Sequence, residues 1–66
     1  MRIYVNGKET EVAEDMTVGA IVAKNGLNPD TIVVEHNLVI LPNEKWSQLV
    51  LDAEDKLEII AFVGGG

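Results

Sequence analysis

The chain has 66 residues, 47% of them hydrophobic, no cysteine, and a formal net charge of −6 from 5 basic and 11 acidic side chains. One small core is all that such a length supports, and at this size the residues that would line a catalytic cleft are needed inside it, so no intrinsic catalytic residue is expected. An acidic surface repels phosphate backbones, the longest apolar runs (38–41 and 59–63) fall far short of the about 20 residues of a membrane span, and absent cysteine removes disulfides and thiolate metal sites.

Residues 1–5 alternate apolar and polar side chains, and Asn6-Gly7 follows, a pair that tolerates the positive φ of a tight hairpin. The spacing predicts a strand, a turn and a second strand over residues 9–13, with Thr10 and Val12 on one face and Glu9 and Glu11 on the other. Thr17 is placed to cap a helix, since its hydroxyl can accept a free amide at the first turn. Val18, Ile21 and Val22 give that helix one apolar stripe, and Asn25-Gly26 supplies residues that end it. At two turns it cannot stand alone and must lie across a sheet.

Asn28-Pro29-Asp30 reads as a turn and residues 31–34 as a β-branched third strand. His36-Asn37 forms another turn, and the apolar stretch 38–41 stops at Pro42. Asn43 is a candidate cap for a short helical turn reaching Trp46, a side chain expected to cover one end of the core. Residues 49–51 read as a fourth, short strand, an acidic turn spans 52–55, and a last strand over 56–63 runs into Gly64, Gly65 and Gly66. The expected fold is α+β: a mixed sheet of four to five strands with one helix on one face, the β-grasp pattern, as a single domain over residues 1–63 with a flexible glycine tail at 64–66.

Chemistry-bearing constellations are few. His36 is the single histidine and Ser47 the single serine, with no nucleophile-elbow context around either, so His36 is expected to be a turn residue without a role. The acidic groups at 9–15 and 52–58 lack metal-ligand spacing, and the isolated Gly7, Gly19 and Gly26 form no phosphate loop. The glycine tail remains. Three such residues have no side chain to pack and resist ordering, but they alone can thread a narrow channel, and extended they reach about 10 Å. A free α-carboxylate, with an ordinary pKa of about 3.5, is an unreactive electrophile at neutral pH; its activation has to come from another protein.

The Asn6-Gly7 hairpin, the helix from Thr17, the run Val34-Glu35-His36-Asn37, the Trp46 segment and the ending Phe62-Val63-Gly64-Gly65-Gly66 together resemble the ThiS family of sulfur carriers in thiamine biosynthesis, ubiquitin-like β-grasp proteins. One departure is at 53–55, where the family often has Asp-Gly-Asp and this chain has Ala53-Glu54-Asp55. The resemblance implies a carrier. A ubiquitin-activating-like adenylyltransferase (ThiF-like) uses ATP and Mg to convert the Gly66 carboxylate to an acyl adenylate. A persulfide donor then supplies sulfur to give a Gly66 thiocarboxylate, and thiazole synthase (ThiG-like) consumes it. Gly64 and Gly65 give the tail access, Gly66 alone reacts, and without cysteine any carried sulfur sits there. Two alternatives remain open: a MoaD-like subunit of molybdopterin synthase, or a ubiquitin-like modifier joined to lysines through Gly66. In the last strand Leu57 and Ile59 are expected to face the helix, which leaves Ile60 and Phe62, with Val63, as a partner-docking patch beside the tail. The expected compartment is the cytoplasm, with neither nucleic acid nor membrane as partner.

Overall fold

The computed structural model describes residues 1–62. Strand β1 (Arg2–Val5) pairs antiparallel with β2 (Lys8–Glu11), with Arg2 opposite Glu11 and Val5 opposite Lys8. Asn6 and Gly7 are the whole turn, at φ of 52° and 79°, which gives the connection the twist a two-residue hairpin needs. Beyond the strands, the Met1 and Val12 backbones exchange hydrogen bonds in both directions, at 2.8 and 2.7 Å. Ile3 and Val12 are thereby fixed in the core, while Glu9 and Glu11 lie on the wet face.

Helix α1 (Val18–Lys24) starts where the sequence places it: the Thr17 hydroxyl accepts the Ala20 amide at 3.1 Å. It stops at Asn25 and at Gly26, whose φ of 66° is left-handed, and the amides of Gly26 and Leu27 turn back onto Ala23 and Val22. Val18, Ile21 and Val22 are its buried stripe. After a 3₁₀ turn at Pro29–Thr31, held by the Asn28 side chain on the Asp30 amide, strand β3 (Ile32–His36) runs into β4 (Val39–Leu41). Strand β5 (Lys56–Ala61) then enters the middle of the sheet, parallel to β1 and antiparallel to β3. The strand order is β2-β1-β5-β3-β4, a five-stranded mixed sheet carrying the helix on one face.

The expected strand at residues 49–51 does not form. Val50 makes a single bridge to Thr17, the Leu49 carbonyl accepts the Val18 amide, and the Leu51 amide donates to the Met16 carbonyl. The segment spends its polar groups on the entrance to the helix, where amides lack intrahelical partners, and Leu51 still reaches the core at 1% exposure. The fourth strand in chain order is instead Val39–Leu41, part of the apolar stretch before Pro42. Asn43 is not a cap either: Pro42 holds that position, and no side chain caps the 3₁₀ turn Asn43–Lys45. Trp46 packs as expected, buried with its indole N–H donated to the Leu41 carbonyl at 2.9 Å. No helix among the described residues is long and apolar enough to cross a membrane.

Candidate functional site

Strand β5 leads toward the three glycines, so what fixes β5 fixes their point of departure. Phe62 continues its pairing by one step, donating its amide to the Thr31 carbonyl at 3.0 Å. Two asparagines with positive φ, Asn6 at 52° and Asn37 at 50°, grip the strand from opposite sides. The Asn6 Oδ1 accepts the Ile59 amide at 2.7 Å and its Nδ2 donates to the Ile59 carbonyl at 3.3 Å, while its own backbone amide reaches the Leu57 carbonyl. That side chain acts as one further rung between β1 and β5, beyond their two backbone pairs. On the other side Asn37 donates its amide to the Lys56 carbonyl and accepts the Lys56 amide on Oδ1, at 2.8 and 2.9 Å.

Behind Asn37 stands Asp55, the one buried charged residue among those described. Its carboxylate accepts the Asp52 amide at 2.9 Å and the Asn37 Nδ2 at 3.1 Å, and lies 2.8 Å from the His36 Nε2. Burial on its own would raise the Asp55 pKa, but the Asp52 amide, His36 and Asn37 together outweigh it and hold the carboxyl below its ordinary 3.8. His36 therefore has a role, contrary to the expectation from its isolation in sequence: it ties the end of β3 to the turn that launches β5. The turn itself forms despite the missing glycine, because Glu54 adopts φ 72° in its place and its carboxylate binds the Arg2 guanidinium at 2.9 Å.

The faces of β5 divide as its alternation requires. Leu57 is fully buried and Ile59 packs against the core. Ile60 and Phe62 are 47% and 58% exposed, and Ile60 lies opposite Val33 of β3. Val63, Gly64, Gly65 and Gly66 lie outside the described residues. The sequence marks Asn6-Gly7 and His36-Asn37 as turns, but nothing in it shows that Asn6, Asn37 and Asp55 hold β5.

A mixed sheet with β5 inserted between β1 and β3, wrapped on one short helix, is a β-grasp domain of the ubiquitin-like class. The ThiS family model matches residues 2–66, and the chain belongs to that family. It is 32% identical over 65 residues to the sulfur carrier protein ThiS of Bacillus subtilis, covering 97% of this chain and 98% of that one. It is also 39% identical, over its full length, to part of a thiazole synthase of Paramagnetospirillum magneticum. The chain spans about a fifth (20%) of the length of that enzyme and of a second thiazole synthase, from Magnetococcus marinus, to which it is 27% identical. Among solved structures, the crystal structure of the thiamine biosynthesis protein ThiS from Geobacter metallireducens superposes with a TM-score of 0.85 at 29% identity, covering 100% of both chains.

Proposed function

We propose that this domain is a sulfur carrier for the thiazole of thiamine, a co-substrate whose chemistry is catalysed by its partners. The observation that carries the reading is membership of the ThiS family across residues 2–66, a span that includes Gly64-Gly65-Gly66. In this reading the Gly66 carboxylate attacks the α-phosphate of ATP in an adenylyltransferase that supplies Mg, and pyrophosphate leaves. The acyl adenylate is a good electrophile because AMP is a stable leaving group. A persulfide sulfur displaces AMP, a thiol cleaves the resulting sulfur–sulfur bond, and the Gly66 thiocarboxylate carries the sulfur to thiazole synthase. Gly64 and Gly65 bring no Cβ into the partner's channel. The grip of Asn6 and Asn37 on β5 gives the domain a rigid base from which to present that tail, and the exposed Ile60 and Phe62, with Val63, are the docking patch next to it.

Intact mass spectrometry of the native polypeptide tests this directly. The expected result is a chain ending at Gly66 in which one oxygen is replaced by sulfur after incubation with adenylyltransferase, ATP and a persulfide donor. A chain that reacts but appears only in covalent conjugates with lysines would replace this reading by that of a modifier. Sulfur transfer to the large subunit of molybdopterin synthase, and not to thiazole synthase, would redirect the pathway.

A further inference from the structure

Two Asn-Gly pairs occur in the chain, Asn6-Gly7 and Asn25-Gly26, and all four residues are exposed. In such a pair the glycine nitrogen, with no side chain beside it, attacks the carbonyl carbon of the asparagine side chain, so by sequence both pairs are equally prone to deamidation. The other asparagines are less so. Asn28 precedes a proline, which has no amide proton to lose, and Asn37 and Asn43 precede Leu38 and Glu44, whose side chains crowd the attack. The structure separates the two Asn-Gly pairs. At Asn25 both reacting groups are held: the Gly26 amide donates to the Ala23 carbonyl at 3.0 Å, and the Asn25 Nδ2 donates to the Ile21 carbonyl at 2.8 Å. Bringing the nitrogen onto Cγ there takes the C-terminal cap of α1 apart. At Asn6 the nucleophile is free. The peptide group between Asn6 and Gly7 is the tip of the β1–β2 hairpin, and neither the Gly7 amide nor the Asn6 carbonyl has a hydrogen-bond partner among the described residues. Only the Asn6 side chain is restrained, by its two bonds to Ile59.

We propose that Asn6 is the deamidation site of the folded chain, and that its hold on Ile59 is the guard that sets the rate. The Gly7 nitrogen attacks the Asn6 Cγ, the new N–Cγ bond forms, the Cγ–Nδ2 bond breaks, and ammonia leaves with the former Gly7 amide proton. Water then opens the succinimide. Addition at Cγ restores the ordinary peptide bond and gives aspartate; addition at the main-chain carbonyl leaves the chain running through the side chain and gives isoaspartate. Neither an oxidant nor a metal nor a second protein is required. In the folded state the reaction waits until the Asn6 side chain leaves β5, a local opening that costs less than global unfolding. The products cannot restore the hold. Aspartate is ionised at neutral pH and has only acceptors, so the donor to the Ile59 carbonyl is lost. Isoaspartate lengthens the main chain inside a turn whose twist depends on Asn6 and Gly7 at positive φ. Strands β1 and β5 share only the pairs Tyr4 with Lys56 and Val5 with Leu57, so losing the side-chain rung loosens the strand that leads toward the glycines.

The test compares the folded chain with the same chain unfolded in guanidinium chloride, both held at mildly alkaline pH. Peptide mapping that separates asparagine, aspartate and isoaspartate follows positions 6 and 25 over time. Unfolded, the two positions are expected to convert at similar rates. Folded, Asn6 is expected to convert more slowly than it does unfolded, and yet at least about threefold faster than Asn25, whose nucleophile is also bonded. Conversion of Asn25 at an equal or higher rate in the folded chain overturns the inference, and so does an Asn6 that stays intact while the unfolded chain is consumed. Equal rates at Asn6 in the folded and unfolded chains would remove the guard assigned to Ile59. The modified chain, separated by ion exchange on its added negative charge, supplies the second readout: faster hydrogen exchange at the Ile59 amide and a lower unfolding midpoint. Unchanged exchange at that amide would overturn the effect on β5. None of these outcomes bears on the carrier reading, which rests on other residues.

Discussion

The His36 Nε2 and the Asp55 Oδ2 are 2.8 Å apart, and their contact joins the end of β3 to the turn before β5. Asp55 is held below its ordinary pKa of 3.8 despite burial, because the Asp52 amide, His36 and Asn37 favour its charged form. A depressed carboxyl contributes stability that is complete well above 3.8 and is lost as pH falls through the lower folded-state value. Wild-type stability should therefore drop below about pH 4. Asp55→Asn keeps the shape but presents an amide to several donors, and should cost about 2 kcal/mol at pH 7. Thermal unfolding from pH 7 to 3 checks the sign: the gap between variant and wild type must narrow with acid.

Asn6 offers a cleaner separation of backbone and side-chain effects. Asn6→Gly keeps access to φ 52° and deletes the two amide bonds to Ile59; Asn6→Ala deletes them and adds left-handed strain. The glycine variant should lose about 1 to 2 kcal/mol through the missing bonds, and the alanine variant about 1 kcal/mol more. Hydrogen exchange at the Ile59 amide is the local readout, and it should accelerate in both.

Leu38 and Glu54 hold φ of 74° and 72°, values that favour glycine. Leu38 is 85% exposed, so Leu38→Gly removes strain and no packing, and should raise stability by about 1 kcal/mol. Glu54→Gly relieves the same strain but breaks the Arg2 pair. An exposed pair contributes at most about 1 kcal/mol and is screened by salt. Chemical denaturation in urea at two salt concentrations should show Glu54→Gly near neutral at low salt and stabilising at high salt, with Leu38→Gly stabilising in both.

What could be read from sequence follows from how local each signal is. Thr17 and Asn25-Gly26 mark the helix because capping is settled within four residues, and the alternation Leu57, Ile59 against Ile60 divides the faces of β5 because the period of a strand is two. Residues 49–51 misled because Leu51 must be buried whether or not its backbone joins the sheet; the decision lies with the amides of Leu51 and Val18, which bond each to the other's segment. The ties of Asp55 to His36 and Asn37 bridge 19 and 18 residues, and no spacing rule links such positions. Leu38 was not recognisable as a left-handed turn residue, since leucine carries no turn signal. The glycines were conspicuous by composition alone, and residues 64–66 lie outside what the structure describes.

Phe62 decides whether the patch beside the tail serves folding or docking. It is 58% exposed and follows the last residue of β5, and its backbone amide, which bonds to Thr31, survives any side-chain change. Truncating an exposed side chain away from core contacts changes stability by about 0.5 kcal/mol or less, whereas removing an aromatic anchor from an interface costs roughly 1 to 4 kcal/mol of binding. Phe62→Ala should therefore unfold within a few degrees of the wild type and yet bind its partners at least fivefold more weakly. Unfolding midpoints beside titrations against the adenylyltransferase and thiazole synthase make the comparison. A large drop in midpoint with undiminished adenylation would assign Phe62 to the fold and leave Ile60 to act without it.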